Sequence, residues 1–280
     1  MIVPSRTLFI LVALGACGSA GSARAQVPSD SSASLQVRHA FKGSVTVSRL
    51  PDAPVLFPEQ DNATGFWQLR TEPTVRLNHA TTVELAFEQR VRLFSSTAGV
   101  VGGGILPTGA AAPFRLRQLD WTVASSAHAE WRAEIDRAAV HLRKGRTSVT
   151  AGRQAIGWGR GVLFSAVDLF APFTPLEADR EWRRGVDGIR ADVKITDRIS
   201  IDGVGAFGQN LDHSIVAARV RGYTGTADVE VMAGRRARDV FGGVTTSAAL
   251  GDIELHGEFA VFRVPHVPGS IDFSAGGGIV

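Results

Sequence analysis

A two-residue alternation of apolar and charged side chains, repeated behind an export-type N-terminus, constrains this chain more than any other feature. Residues 83–93 read VELAFEQRVRL. Val83, Leu85, Phe87, Val91 and Leu93 are apolar, and Glu84, Glu88, Arg90 and Arg92 stand between them. Residues 188–195 set Ile189, Ala191, Val193 and Ile195 against Arg190, Asp192 and Lys194. Successive side chains of a strand face opposite sides, so each segment has one apolar and one charged face. A soluble sandwich turns the apolar face inward. A membrane barrel turns it toward lipid and lines its lumen with the charges.

The first 25 residues read as a secretory signal. Arg6 supplies the positive charge, residues 8–14 form a short apolar stretch, and Ala23-Arg24-Ala25 offers a cleavage site before Gln26. The stretch is too short to cross a bilayer as a helix. A second reading takes Leu14-Gly15-Ala16-Cys17 as a lipobox, with Cys17 lipidated. Residues 26–34 then form a polar leader, and residues 35–280 a single β domain.

Charge and cysteine content exclude several functions. Without Arg6 and Arg24, 28 basic residues face 27 acidic ones, so the basic pI is no nucleic-acid footprint. Cys17 is the only cysteine and lies in the signal region, which removes disulfides, thiolate nucleophiles and cysteine ligands from the mature chain. The seven histidines follow no metal-binding spacing. The tightest grouping, Glu254, His256 and Glu258, projects to one side of a strand, which fits a weak divalent site but more readily a solvated lumen face. No G-x-S-x-G is present, and the glycines at 157, 159 and 161 lack the surrounding βαβ unit of a dinucleotide site. No metal or cofactor is expected.

About thirteen strand segments follow one another, including residues 35–48, 66–77, 82–94, 114–123, 147–156 and 184–195. Pro73 marks an edge, a bulge or a break in the second. Residues 127–144 fit either a strand or a helix. Arg132, Glu134 and Asp136 alternate with Trp131, Ala133 and Ile135, and Lys144-Gly145-Arg146 resembles a hairpin turn, which favours the strand. The expected fold is all-β, an antiparallel transmembrane β-barrel of about 12–14 strands. Thirteen conflicts with the even counts of bacterial barrels, and counting from the periplasm puts residues 157–181 on the inner side. The chain also stops at Gly276-Gly277-Gly278-Ile279-Val280, where an aromatic-ended closing strand is expected. Either one strand is miscounted or the chain is a piece of a longer barrel.

The central segment is the most specific part. Residues 151–161 read AGRQAIGWGRG, residues 167–175 VDLFAPFTP, and residues 179–190 DREWRRGVDGIR. This succession of GRQ, WGxG, DLF-x-P and RRGVD over about forty residues resembles a segment of porin-like outer-membrane barrels, including relatives of polysaccharide-export barrels. The resemblance implies an outer-membrane barrel. Physically, Trp158 and Trp182 flank the loop as candidate interface anchors. Asp168 and Asp179 lie near Arg183 and Arg184 in sequence. The loop is either a structural cap or an inward constriction that selects solutes.

These features lead to the expectation of a non-enzymatic, porin-like channel in the outer membrane, embedded in its lipid and passing small polar or charged solutes. Its lumen candidates are Glu84, Glu88, Arg90, Arg92, Arg132, Glu134, Asp136, Arg190, Asp192 and Lys194. Its loop candidates are Trp158, Asp168, Asp179, Arg183 and Arg184. Opposed guanidinium and carboxylate groups would set a transverse field across a pore. Two alternatives stand beside it: an export or assembly barrel whose arginines bind an acidic polysaccharide, and an exported β-rich lipoprotein held through Cys17.

Overall fold

The structure is a computed structural model that describes residues 10–14, 23–25, 33–49, 61–95, 112–159, 165–173, 181–237, 239–263 and 271–279. It is all-β. The strands are β1 (Ile10–Leu14), β2 (Ala23–Ala25), β3 (Ser34–Arg49), β4 (Asp61–Arg76), β5 (Thr81–Phe94), β6 (Asp120–Ser125), β7 (Ala129–Lys144) and β8 (Thr147–Gln154). They continue with β9 (Val186–Lys194), β10 (Ile199–Ala206), β11 (Ile215–Tyr223), β12 (Ala227–Arg236), β13 (Asp239–Leu250), β14 (Ile253–Arg263) and β15 (Ile271–Ile279). A single 3₁₀ turn, Leu211–His213, is the only helical element among the described residues.

Twelve strands, β3 to β15 without β6, form one antiparallel sheet in chain order, each paired with its neighbour. Both β1 and β2 pair with the other edge of β3, at Ser44–Ser48 and at Leu35–Val37 respectively. Among the described residues β15 pairs only with β14, and the sheet is not closed on itself.

The expected strand over residues 114–123 is corrected. Its first half is irregular. Its second half belongs to β6, which pairs with β7 off the main path. The reason is the unequal length of two neighbours: β7 runs for 16 residues and β8 for 8. The upper half of β7 would be left with bare backbone groups on that side, an expensive state for a sheet. Residues 114–125 fill the gap. Ile135 donates its N–H to the Leu119 carbonyl at 2.9 Å, and Asp187 donates to the Phe114 carbonyl at 2.9 Å. Dropping this segment turns thirteen into an even twelve.

The correction also sorts the connections. Residues 77–80, 145–146, 195–198, 224–226 and 251–252 are tight turns, and all lie at one end of the sheet. Gly145 sits at φ 58 in the Gly145-Arg146 turn, a left-handed backbone that glycine adopts without strain. The strand ends at the other end are joined by residues 50–60, 95–128, 155–185, 207–214 and 264–270, with residues 237–238 the one short exception. The long segment at 155–185 therefore shares an end with the other long connections, and the tight turns occupy the opposite end. Residues 129–144 are strand, and the 144–147 turn is a hairpin. At Pro73 the β4–β5 ladder is interrupted: Thr71 pairs with Phe87 and Thr74 with Glu84, with no pairing between.

The two faces of the sheet differ as the alternation requires, but with burial inverted relative to a soluble sheet. Apolar side chains such as Phe41 (51%), Leu85 (43%), Ile189 (51%) and Val216 (62%) are exposed. The charged face is covered, and Arg70 is 1% and Asp202 2% exposed. Toward the long-loop end this covered face becomes apolar. Val204, Ile215, Ala217, Met232, Phe241 and Ala260 pack there against Phe114, Ile156, Trp158, Val167 and Phe170. The core of the molecule thus lies between the inner surface of β10–β14 and the connecting segments that turn onto it.

Candidate functional site

The charged face carries three networks, and each follows from strand register. The densest joins β4, β5 and β7. Arg70 donates from Nη1 to Glu88 Oε2 at 3.0 Å and to Asp136 Oδ2 at 2.9 Å, and from Nε to Glu72 Oε1 at 2.7 Å. Arg90 bridges Glu88 and Glu134. Arg115, from the gap-filling segment, binds Glu134 and Asp136 and donates from Nε to the Gly185 carbonyl at 3.0 Å. Ion pairs this buried persist only when every charge is matched and hydrogen-bonded.

A β-bulge makes this density possible. Opposite β5, Ala86 pairs with Arg137 and Phe87 with Ile135, so Asp136 is the extra residue. A bulge breaks the alternation locally. Asp136 and Arg137 consequently both face the network, with side chains 5% and 14% exposed. Asp136 also accepts the Gly185 N–H at 2.9 Å. A Cβ at Gly185 would lie 1.9 Å from the Asp136 carbonyl oxygen, so only glycine lets the return segment come this close.

The second network is a ladder across β9 to β12. Arg190 holds Asp202 through two bonds of 3.0 and 2.7 Å. Arg219 binds Asp202 and Glu230, each at 2.8 Å. The third is smaller. The two imidazole nitrogens of His141 lie 3.0 Å from Glu84 Oε2 and 3.0 Å from Thr150 Oγ1. It borders a cavity of about 370 Å³ on the tight-turn side, lined by Glu84, Arg137, His141, Ser148, Thr150, Gln154, Ala155, Arg190 and Asp192.

Segments from the long-loop end are fastened to this face. Glu258 on β14 accepts from the Ser165 hydroxyl at 2.7 Å and from the Ala166 N–H at 2.9 Å. Arg183 pairs with Asp168 and donates to the Ala171 carbonyl at 2.7 Å. Burial pushes the Asp168 carboxyl above its ordinary range, and the Arg183 guanidinium only partly opposes this. Trp158 meets Phe170 edge-on at 5.0 Å, and the Arg219 guanidinium lies 4.9 Å from its ring. Further along, Lys42 Nζ lies 3.6 Å from the Trp182 ring centroid and 2.6 Å from Glu181 Oε2. The placing of the two tryptophans as interface anchors is corrected. Trp158 is 2% exposed inside the core, and Trp182 lies against two cations of the charged face. An indole packed over guanidinium and ammonium groups gains a cation–π contact there.

The expected lumen residues are thus distributed over distinct settings. Glu88, Arg90, Glu134 and Asp136 meet in the buried network, and Glu84 joins His141 and Arg137. Arg92 lies 3.9 Å from Glu130, and the more exposed Arg132 pairs with Asp120. Arg190 belongs to the ladder, Asp192 to the cavity, and Lys194 is exposed beside a tight turn. Of the loop set, Asp168 and Arg183 are paired, Arg184 is half-buried next to them, and Asp179 lies outside the described residues. Sequence reasoning marked none of Arg70, Glu72, Arg115, Arg137, His141, Arg219 and Glu230 as site residues. For Arg70, Glu72, His141, Arg219 and Glu230 the available signal was alternation on their own strands; Arg115 lies outside any strand and Arg137 follows the bulge, and the convergence of all depends on cross-strand register.

Among the described residues, no three histidine, cysteine, aspartate or glutamate side chains are grouped to hold a metal ion. Glu258 is instead committed to the loop at Ser165 and Ala166. No helix of the described residues is long and apolar enough to cross a membrane, which says nothing of a crossing by strands. Compared with known proteins, the chain matches no family model, no curated protein and no solved structure.

Proposed function

We propose that this chain forms the wall of a bacterial outer-membrane β-barrel that acts as a porin-like passive channel for small polar or charged solutes. The observation that carries the reading is the inverted burial. One sheet buries its arginines and carboxylates and leaves its leucines, valines and phenylalanines bare. A soluble monomer rarely exposes so continuous an apolar face. A bilayer supplies the missing apolar solvent. The even run of twelve paired strands and the grouping of tight turns at one end support the same reading. Closure would bring β3 to β15. The edge of β3 that this requires is occupied by β1 and β2, which lie within the segment read as a signal peptide, so its cleavage would expose that edge.

The segments fastened to the charged face favour small solutes over a polymer. Residues 114–117, 165–173 and 181–185 sit where the bore of a barrel would run. The cavity of about 370 Å³ accommodates a molecule of modest size. An extended acidic polysaccharide would need these segments to be displaced. The export-barrel reading gains nothing specific from the geometry.

The test has two parts. The full chain, expressed with its signal, is fractionated and run on gels with and without boiling, and the purified protein is added to planar bilayers. Partition into outer membranes, heat-modifiable migration and stepwise conductance are the expected results. Recovery as a soluble periplasmic protein refutes the barrel. Mass spectrometry that finds a diacylglycerol-modified Cys17 favours the lipoprotein instead.

A further inference from the structure

The cavity on the tight-turn side has a composition that points to a ligand class. Four strands contribute, and register fixes who faces whom. Asp192 on β9 stands opposite Ser148 on β8, Arg190 opposite Thr150, and Thr150 opposite His141 on β7. Glu84 reaches the cavity from β5.

Most of these groups already have partners. Glu84 is held by His141 and faces Arg137 at 3.6 Å. Arg190 places Nε and Nη2 on Asp202, and Gln154 donates to the carbonyls of Thr150 and Gly188. The Asp192 carboxylate and the Ser148 hydroxyl differ: neither has a side-chain hydrogen bond or ion pair among the described residues. Asp192 therefore offers a charged acceptor at the cavity wall. Two residues back along the same strand, a step of about 6.7 Å between Cα atoms, Arg190 Nη1 makes no hydrogen bond among the described residues.

We infer that this cavity binds a small zwitterion, a molecule carrying an ammonium and a carboxylate a few bonds apart, as amino acids do. The ammonium sits on Asp192 with Ser148 beside it. The carboxylate lies toward Arg190 Nη1, with the Arg137 guanidinium adding a second positive charge at the wall. The charged lining residues, Glu84 and Asp192 against Arg137 and Arg190, cancel in sum. A simple anion therefore meets two carboxylates, a simple cation meets two guanidiniums, and a ligand bearing both charges satisfies both. This inference rests on the channel reading, because it makes the cavity a station on the solute path.

The experiment separates the two. Binding is measured by calorimetry on the full chain in detergent, with three probes of similar size: L-alanine, its N-acetyl derivative as the anion and its methyl ester as the cation. Conductance in planar bilayers is recorded separately, with and without each probe. Alanine is expected to bind at least tenfold more tightly than either blocked form and to reduce the current of open channels. Asp192→Asn should weaken alanine binding about tenfold and strengthen that of the N-acetyl form, while Asp192→Glu should recover most of the alanine affinity. Heat-modifiable migration checks that each variant is folded. Equal binding of all three probes, no binding of alanine, or an unaltered Asp192→Asn variant overturns the zwitterion site. A conducting wild type with no preference for alanine refutes the site alone. A protein that binds alanine but never conducts refutes the channel alone.

Discussion

Replacing Arg70 by alanine tests whether the charged face is a dry, matched network or a wet pore lining. The guanidinium is 1% exposed and makes three charged contacts of 2.7–3.0 Å to Glu72, Glu88 and Asp136. Its loss leaves Glu88 with Arg90, and Asp136 with Arg115, Arg137 and the Gly185 N–H. Two like charges then remain buried side by side with the cation between them gone. Breaking a buried pair costs about 3–5 kcal/mol. Because each carboxylate keeps another partner, the lower end applies, about 3 kcal/mol, or roughly two orders of magnitude in the folding equilibrium. The assay is urea unfolding in phospholipid vesicles, followed by tryptophan fluorescence and by heat-modifiable migration. Arg70→Lys keeps the charge and loses the three-way fork, so it should cost roughly half as much. Adding Glu88→Gln to Arg70→Ala should restore part of the loss. A loss below about 1 kcal/mol for Arg70→Ala, the range of exposed pairs, would refute the argument.

The other expectations are read by similar means. Arginine at Leu85 or Val216 should impair membrane assembly by roughly 2–4 kcal/mol if placed near the bilayer midplane, whereas unchanged assembly with loss of a soluble fold would reverse the assignment of faces. Gly185→Ala should push the return segment off Asp136 and alter conductance while the sheet persists; wild-type single-channel conductance would show that the contact is slack. Shortening residues 165–173 should raise conductance if they narrow a bore, and unchanged conductance with failed assembly would make them only a structural cap. Because the folded Asp168 carboxyl titrates above its ordinary range, the folded state holds that proton more tightly than the unfolded state. Stability should therefore fall as pH rises from the ordinary carboxylate range through the raised value, and Asp168→Asn should flatten this slope. An identical pH profile in the variant would count against it.

What the chain discloses on inspection is local. The alternation in residues 83–93 and 188–195 marks both strand and face, because side-chain direction along a strand needs no knowledge of its neighbours. The 144–147 turn is legible from Gly145 for the same reason. Residues 114–123 misled because Phe114 and Leu116 alternate with Arg115 and Arg117 as in a strand, yet their conformation is set by the missing upper half of β8. The Asp136 bulge is silent in sequence, since it is a property of two strands in register. So are the partners of Arg70 and Arg219, which join residues far apart in the chain. Trp158 and Trp182 read as membrane anchors only while the path of residues 155–185 is unknown; once that segment folds inward, their rings meet cations and phenylalanine.

The segregation of turns carries a consequence for biogenesis. If the chain is the barrel wall proposed above, the end bearing the tight turns stays on the side from which the protein inserts, and only the opposite end must be carried through. Most connections at that end are modest. Residues 95–128 and 155–185 are not, and the second would bring Asp168, Glu181, Arg183 and Arg184 across the hydrocarbon together with the apolar cluster around Trp158 and Phe170. If that cluster collapses onto β10–β14 before translocation, its charges travel shielded inside a nascent curl of sheet rather than one at a time through lipid. Insertion of this chain would then be a passage of hairpins gathered around a preformed knot, and the slowest step would be set by these two long connections rather than by the number of strands.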